Sequence, residues 1–434
     1  MGLSRRFLNL IVHNLINPAT KSLRRVDLTH HKLLNTTVPA LPPLNGNTSE
    51  SQGPPATTTL WGGNPKNKNK KTGTIRLPAP SIHLRASATD FEWYMDCFPL
   101  AGSSKLLCGD QSDRTVLFDV DTRQAELVPH LQWPKSLPLT IFVPGAGDVN
   151  DDGGGSVYIM ESCPNPEPGD AMQLSSQFQA FVYRRPSTST SFTKSGSWQR
   201  ELLPPPPFIC NPKHYVPTGK RLMITSYAVV GSGGSQQVCV SADRAAGTYC
   251  LDTATHTWTQ VGEWTLPFVG KVEYVPELKL WFGICAKDFQ LGAVDLSAMD
   301  MDMDSQAPEL VGTWKELEAP QGWTEMLHPQ LGNLGSGRFC VARFFHALNP
   351  LARLFHALNP MAFESDEPGE EYFFTVLTGA DVVPCVHDGN SGSANAACSN
   401  AVNGSNGKVE LKMIRHNSRR RMSYGSDGTI RLVF

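Results

Sequence analysis

An all-β fold, a β-propeller of four-stranded antiparallel blades, is what three recurrent features of this sequence predict. Strand-length runs rich in Val, Tyr, Trp and Thr are punctuated by Gly, Asp and Pro, with no helical period between them. An Asp closes an apolar run before a polar turn at Asp27, Asp119, Asp252 and Asp295, and a Trp opens the next strand at Trp198, Trp258 and Trp314. A Leu or similar residue followed by Pro then ends the unit, at Leu77-Pro78, Val128-Pro129, Leu203-Pro204, Leu266-Pro267 and Ala319-Pro320. Asp and Thr side chains can satisfy the N–H groups of such turns, and Pro, having no N–H, marks where ladder pairing stops.

Taken in order, these markers divide the chain into units at 91–129, 140–204, 223–267, 271–320 and, less regularly, 330–416. The remaining strand-like runs, 6–12, 22–27, 74–77 and 429–434, would together build one closing blade in which the two chain ends pair. Such pairing leaves no open edge, which is the physical reason a ring of sheets needs it. The expected total is about six blades, in a range of roughly five to seven, forming a single domain over 1–434. Two polar stretches, 45–71 and 388–406, read as disordered insertions. A tandem copy, ARFFHALNP at 342–350 and ARLFHALNP at 352–360, reads as a duplication that lengthens one loop.

A chain of 434 residues exceeds the size at which one ordinary core stops growing, so repetition is the economical architecture. The formal net charge of −2 gives no global drive toward nucleic acid or an anionic membrane. No apolar run approaches the roughly 20 residues that span a bilayer, so no helical anchor is expected. Ten cysteines with no CxxC spacing, several of them inside apolar runs (Cys97, Cys239, Cys250, Cys285, Cys340), are expected free, buried and reduced. The N-terminal segment is basic before Asp27 and suits an organellar transit peptide as the alternative to a cytoplasmic or nuclear location.

The motifs that carry chemistry are sparse. Asp148, Asn150 and Asp152, followed by Gly153, match the first liganding positions of a calcium loop only in part, since Ile159 stands where the bidentate Glu belongs, and the stretch reads first as a solvated acidic loop. The run Arg419-Arg420-Arg421-Met422-Ser423 suits a basophilic kinase site, and with Lys66, Lys68, Lys70 and Lys71 it suits nuclear import; solvated loops explain both. Neither catalytic residues nor a bound cofactor can be assigned, because no HxxxH or HxH spacing, nucleophile motif or phosphate-cradling glycine loop is present.

At Tyr249-Cys250-Leu251-Asp252-Thr253-Ala254-Thr255-His256-Thr257-Trp258 the chain resembles the turn between the third and fourth strands of a kelch blade. The wider wording, including RLPAPSI, VYIMESCPNP, FVYRR and KVEYVPELKLWFG, resembles an uncharacterised, grass-expanded plant family with kelch-like or F-box-associated propellers. That resemblance implies a fold and no activity. The function expected is a non-enzymatic protein-interaction scaffold whose partners are other proteins. An enzyme, or a small-molecule or carbohydrate binder with a site at the channel mouth, is the alternative.

Overall fold

Strands buried on both faces, such as Phe7–His13 and Leu280–Cys285, need a packing neighbour on each side of their sheet. The computed structural model shows how the chain supplies them. It describes residues 5–14, 20–34, 72–85, 95–100, 104–110, 114–132, 135, 137–145, 155–167, 174–184, 196–214, 221–231, 236–297, 306–348, 371–385, 410–423 and 428–434.

The chain begins with the antiparallel pair β1 (Phe7–His13) and β2 (Thr20–Asp27), followed by β3 (Gly73–Thr74) and by β4 (Ile82–Arg85), which pairs with β2. A four-stranded meander follows: β5 (Met95–Pro99), β6 (Lys105–Asp110), β7 (Thr115–Asp119) and β8 (Ala125–Leu127). The next is β9 (Pro138–Pro144), β10 (Gly155–Glu161), β11 (Ser175–Arg184) and β12 (Ser197–Leu203). After the short helix α1 (Pro207–Cys210) come β13 (Ile224–Val230), β14 (Gln237–Ala242), β15 (Gly247–Asp252) and β16 (Trp258–Gly262). The sets β17 (Phe268–Val275), β18 (Leu280–Cys285), β19 (Leu291–Val294), β20 (Leu310–Trp314) and β21 (Thr324–Gly335), β22 (Arg338–Leu348), β23 (Glu371–Pro384), β24 (Leu411–Ser423) complete the series. The last strand, β25 (Thr429–Val433), lies antiparallel beside β1, with Leu10 opposite Val433 and Val12 opposite Ile430. The fold is therefore all-β, built from four-stranded antiparallel sheets.

Consecutive sheets meet through their first strands. β5 neighbours β9, β9 neighbours β13, β13 neighbours β17, β17 neighbours β21, and β21 neighbours β25. The contact between β13 and β17 is a parallel ladder, Ser226 to Ala228 against Gly270 to Val272, which fuses two sets into one eight-stranded sheet. Apolar clusters then fill the space between sheet faces. Leu8, Leu10 and Val12 of β1 pack on Leu334, Cys340 and Phe344, while Ile11 and Phe434 pack on Leu106, Cys108 and Phe118 of the β5–β8 sheet. The β5–β8 sheet meets the β9–β12 sheet through Leu107, Val157 and Phe181, and that sheet meets β13–β16 through Met160, Phe178 and Val240. Val230 and Cys250 meet Phe268 and Trp281, and Phe282 and Trp314 meet Phe339 and Val382. Alternate side chains of one strand thus enter two different cores.

Four expectations need correction. Residues 74–77 do not join the sheet of the chain ends: Gly73 and Thr74 lie parallel to Arg419 and Arg420 at the edge of β24, and Ile82–Arg85 takes the place beside β2. Arg24 Nη1 donates to the Pro78 carbonyl at 2.9 Å, so Leu77-Pro78 is a crossing between two sheets and not a unit exit. Trp314 closes β20 where it was expected to open a strand, and its ring stacks on Phe282. Cys239 and Cys250 are not reduced. They face each other across β14 and β15 with Cα atoms 4.1 Å apart, the close spacing of a non-hydrogen-bonded antiparallel pair, and form a disulfide. Burial within apolar strands signalled free thiols, and register across the ladder overrode it.

Candidate functional site

The residues that close strands do so through turn chemistry. Asp27 Oδ1 accepts from the Thr29 N–H and hydroxyl at 2.9 and 2.6 Å, and Asp295 Oδ1 accepts from the same groups of Ser297 at 2.9 and 2.6 Å. Asp119 Oδ1 accepts from the amides of Asp121 and Thr122, and Asp252 Oδ1 from those of Ala254 and Thr255. The amide of Thr255, outweighing partial burial, holds the Asp252 carboxyl below the usual carboxylate range, as the Thr29 hydroxyl does for Asp27. Trp258 donates its indole N–H to the Pro204 carbonyl at 2.9 Å, whereas Trp198 packs edge-on against Tyr183. These residues shape the frame; none of them lines the cavities described below, although Asp27 and Asp119 hold Arg6 and Asp121, which do.

A place for chemistry arises at one irregular strand. In β17, Val269 pairs with Ile284 and Glu273 with Phe282, so the segment between them bulges out of the ladder with β18. Gly270 has φ +71°, which a side chain would resist, and it lets residues 270–272 turn to β13 instead. The diverted segment carries Lys271 and Glu273 beside Tyr227 of β13. Lys271 Nζ lies 2.6 Å from Glu273 Oε1, both half-buried. Burial first, and the Glu273 carboxylate second, push the Tyr227 phenol up, so it is a neutral hydrogen-bonding group at ordinary pH.

These three line a cavity of about 330 Å³ whose walls include Ile141, Phe142, Val272 and Trp281. Trp281 is fixed by its indole N–H, which donates to the Val229 carbonyl at 2.8 Å, and Tyr274 lies opposite it with ring centroids 4.5 Å apart. Tyr274 remains 44% exposed. Asn333 of β21 completes the rim, its side-chain oxygen accepting from the Gly335 N–H at 2.9 Å.

Tyr274 and Asn333 also line a second cavity, of about 660 Å³, with Arg5, Arg6, Phe7 and Asn9 of the chain's start, Arg25, Asp121 and Glu277. Here Arg6 pairs with Asp27 at 2.9 Å, Arg25 pairs with Asp121, and the Arg25 guanidinium sits 4.3 Å from the Phe7 ring centroid. Asn9 is 6% exposed and its side-chain oxygen has no hydrogen-bond partner among the described residues. The two cavities adjoin, one apolar with a polar floor and the other lined by arginines. Both lie where hairpin turns gather: Ser104, Asp121, Pro276, Glu277 and Gly335 all belong to connections between strands or to strand ends at them.

The calcium-loop candidates Asp148, Asn150 and Asp152 lie outside the described residues, in the connection between β9 and β10. So do 45–71, with its four lysines, 388–406 and the second copy of the tandem repeat. Arg419 to Ser423 is not a solvated loop: it is the end of β24, paired with Phe373 to Leu377, and the Ser423 hydroxyl is buried. Among the described residues no three His, Cys, Asp or Glu side chains stand close enough to hold one metal ion. No helix among them is long and apolar enough to cross a membrane. Neither cavity was legible in the sequence. The one local sign was Gly270 within a strand-like run, which marks a bulge or close backbone approach.

The architecture defines an all-β protein assembled from four-stranded antiparallel sheets, with two cavities on its turn side. The chain belongs to the family of proteins of unknown function DUF1668, whose model matches residues 5–422. No curated protein sequence matches it. Among solved structures it is similar to the β-propeller domain of Cps50 (Swd1) from Myceliophteria thermophila, at 9% identity and TM-score 0.33, over 70% of this chain and 83% of that one. It is also similar to BamB from Moraxella catarrhalis, at 12% identity and TM-score 0.26, over 63% of this chain and 77% of that one. The fold is defined by the chain's own strand pairing.

Proposed function

We propose that the protein is a closed six-bladed propeller acting as a protein-interaction scaffold. Its hairpin-turn side, at the adjoining cavities, receives an extended segment of a partner protein. Support for the ring comes from packing: each sheet shares an apolar cluster with two others, and Phe434 with Leu106 joins the last strand to the sheet that follows the N-terminal strands. A kelch-like ancestry fits the Asp252 turn and the Trp258 that follows it.

The observation that carries the binding reading is the pair of cavities sharing Tyr274 and Asn333. An apolar pocket beside exposed aromatic and arginine side chains is the anatomy of a protein-recognition hot spot. The unpaired oxygen of Asn9 would accept a backbone N–H, and the arginine side would take an acidic residue. A photo-crosslinking amino acid at position 274 tests this. Crosslinked partners that disappear with Trp281→Ala, and persist with a change at Leu127 on the outer strand β8, are the expected result. Partners indifferent to Trp281, or no crosslink to any polypeptide, would overturn it.

A second reading rests on the first cavity alone. Its neutral Tyr227 phenol and paired Lys271 and Glu273, inside apolar walls, suit a small uncharged molecule with several hydrogen-bonding groups. A cytoplasmic or nuclear location goes with the scaffold reading, and the Cys239–Cys250 bond is compatible with it because both sulfurs are buried away from soluble reductants.

A further inference from the structure

The disulfide between Cys239 and Cys250 has an unoxidised counterpart. Cys97 of β5 and Cys108 of β6 stand directly opposite each other, and both are free. The ladder shows which kind of pair they are. Leu100 N–H donates to the Lys105 carbonyl at 3.0 Å, so Leu100 and Lys105 form a hydrogen-bonded pair. Antiparallel pairs alternate, which makes Phe98 and Leu107 hydrogen-bonded and leaves Cys97 with Cys108 at a close, non-hydrogen-bonded position. Pro99 fits the same alternation, since it has no N–H to give. The Thr253 N–H donating to the Gln236 carbonyl places Cys239 with Cys250 in the same class, and there the bond is made.

The surroundings distinguish the two thiols. The two thiols share a hydrogen bond, which together with burial keeps Cys108 protonated. Cys97 is partly exposed, and the Lys21 ammonium of β2 acts on Cys108. Both sulfurs belong to the cluster that packs the β5–β8 sheet on β1, β2 and Phe434, the seam beside the paired chain ends.

We propose that Cys97 and Cys108 are a site of reversible oxidative modification, closing a second cross-strand disulfide when a hydroperoxide reaches Cys97. The Cys97 thiolate attacks the terminal peroxide oxygen; the O–O bond breaks, the alcohol or water leaves with the proton, and Cys97 becomes a sulfenic acid. The Cys108 sulfur then attacks the Cys97 sulfur, the S–O bond breaks, and water leaves with the Cys108 proton. Two electrons pass from the two thiols to the peroxide, and no other reactant is required. The product ties β5 to β6 at the seam, independently of what the cavities bind.

The test uses the full chain, mildly reduced, treated with hydrogen peroxide, alkylated and digested with trypsin without reduction. Cleavage after Lys105 separates the two cysteines, so the bond appears as peptide 86–105 joined to 106–114, with a loss of about 2 Da relative to the two thiol peptides. The joined species is expected in the native protein, to vanish with dithiothreitol and to be absent from Cys97→Ser. Cys163, partly exposed on the bend after β10, serves as the internal control for reagent access. Modified Cys163 with both Cys97 and Cys108 still alkylated, or Cys97 as a sulfinic acid beside alkylated Cys108, would overturn the proposal. The unmutated protein decides it, whether or not the variant folds.

Discussion

Arg343 holds three parts of the chain together from the middle of β22. Its guanidinium pairs with Glu316, which is 0% exposed, reaches Glu325 at 2.9 Å, and donates to the Phe289 carbonyl at 2.6 Å. Those partners lie before β21, within β21 and in the turn after β18. Removing one member of a buried pair leaves the other charge without compensation, which costs about 3–5 kcal/mol, whereas replacing both by apolar groups is far milder. Arg343→Met is therefore expected to lower the denaturation midpoint sharply. The double variant Arg343→Met with Glu316→Leu should recover much of the loss, and a double variant no more stable than the single one would show that the pair does not act as a unit. Arg343 also lies in the first tandem copy, so this copy is a structural strand and not the loop that the repetition suggested.

At the scale of the element, β17 decides the cavity. A regular strand would keep every pairing with β18; the bulge from Val269 to Glu273 sends residues 270–272 to β13 and brings Lys271 and Glu273 beside Tyr227. Gly270 makes the excursion possible at φ +71°, and nothing lies within 4 Å of where a Cβ would stand. Substitution there costs backbone conformation alone. Gly270→Ala is expected to destabilise by about 1–2 kcal/mol in chemical denaturation. Gly270→Asn should cost less, because Asn tolerates the left-handed region better. Equal losses for the two variants would place the cost in packing instead.

For the whole molecule, the pairing of β25 with β1 matters most. Besides the ladder from Leu10 to His13, the Asn9 N–H donates to the Phe434 carbonyl at 2.9 Å and the Phe434 N–H to the Asn9 carbonyl at 3.0 Å. Deleting residues 429–434 would bare the edge of β1 and open the clusters that hold Ile430, Val433 and Phe434. An exposed, apolar edge strand seeks another chain. The truncated protein is expected to associate in size-exclusion chromatography and to unfold at a lower temperature. A monomer of unchanged melting temperature would show that the terminal pairing does not stabilise the fold.

What the sequence determined by itself was local. Apolar runs of strand length, Asp-capped turns and the absence of a helical period are written in neighbouring residues, so the all-β class and most strand positions could be read from them. The pairing of the two chain ends was also foreseeable, because the runs at Phe7–His13 and Thr429–Val433 were otherwise left without a sheet. Tertiary structure alone decided which strands meet at a distance. It placed Gly73–Thr74 against β24, brought Cys239 to Cys250 in register, and joined Tyr227, Lys271, Tyr274 and Asn333 around a shared rim. The physical reason is that strand formation depends on side chains a few residues apart. Register and sheet-to-sheet packing depend on groups beyond that reach, from the 11 residues between Cys239 and Cys250 to the hundreds between Thr74 and Arg420, whose meeting no local pattern encodes.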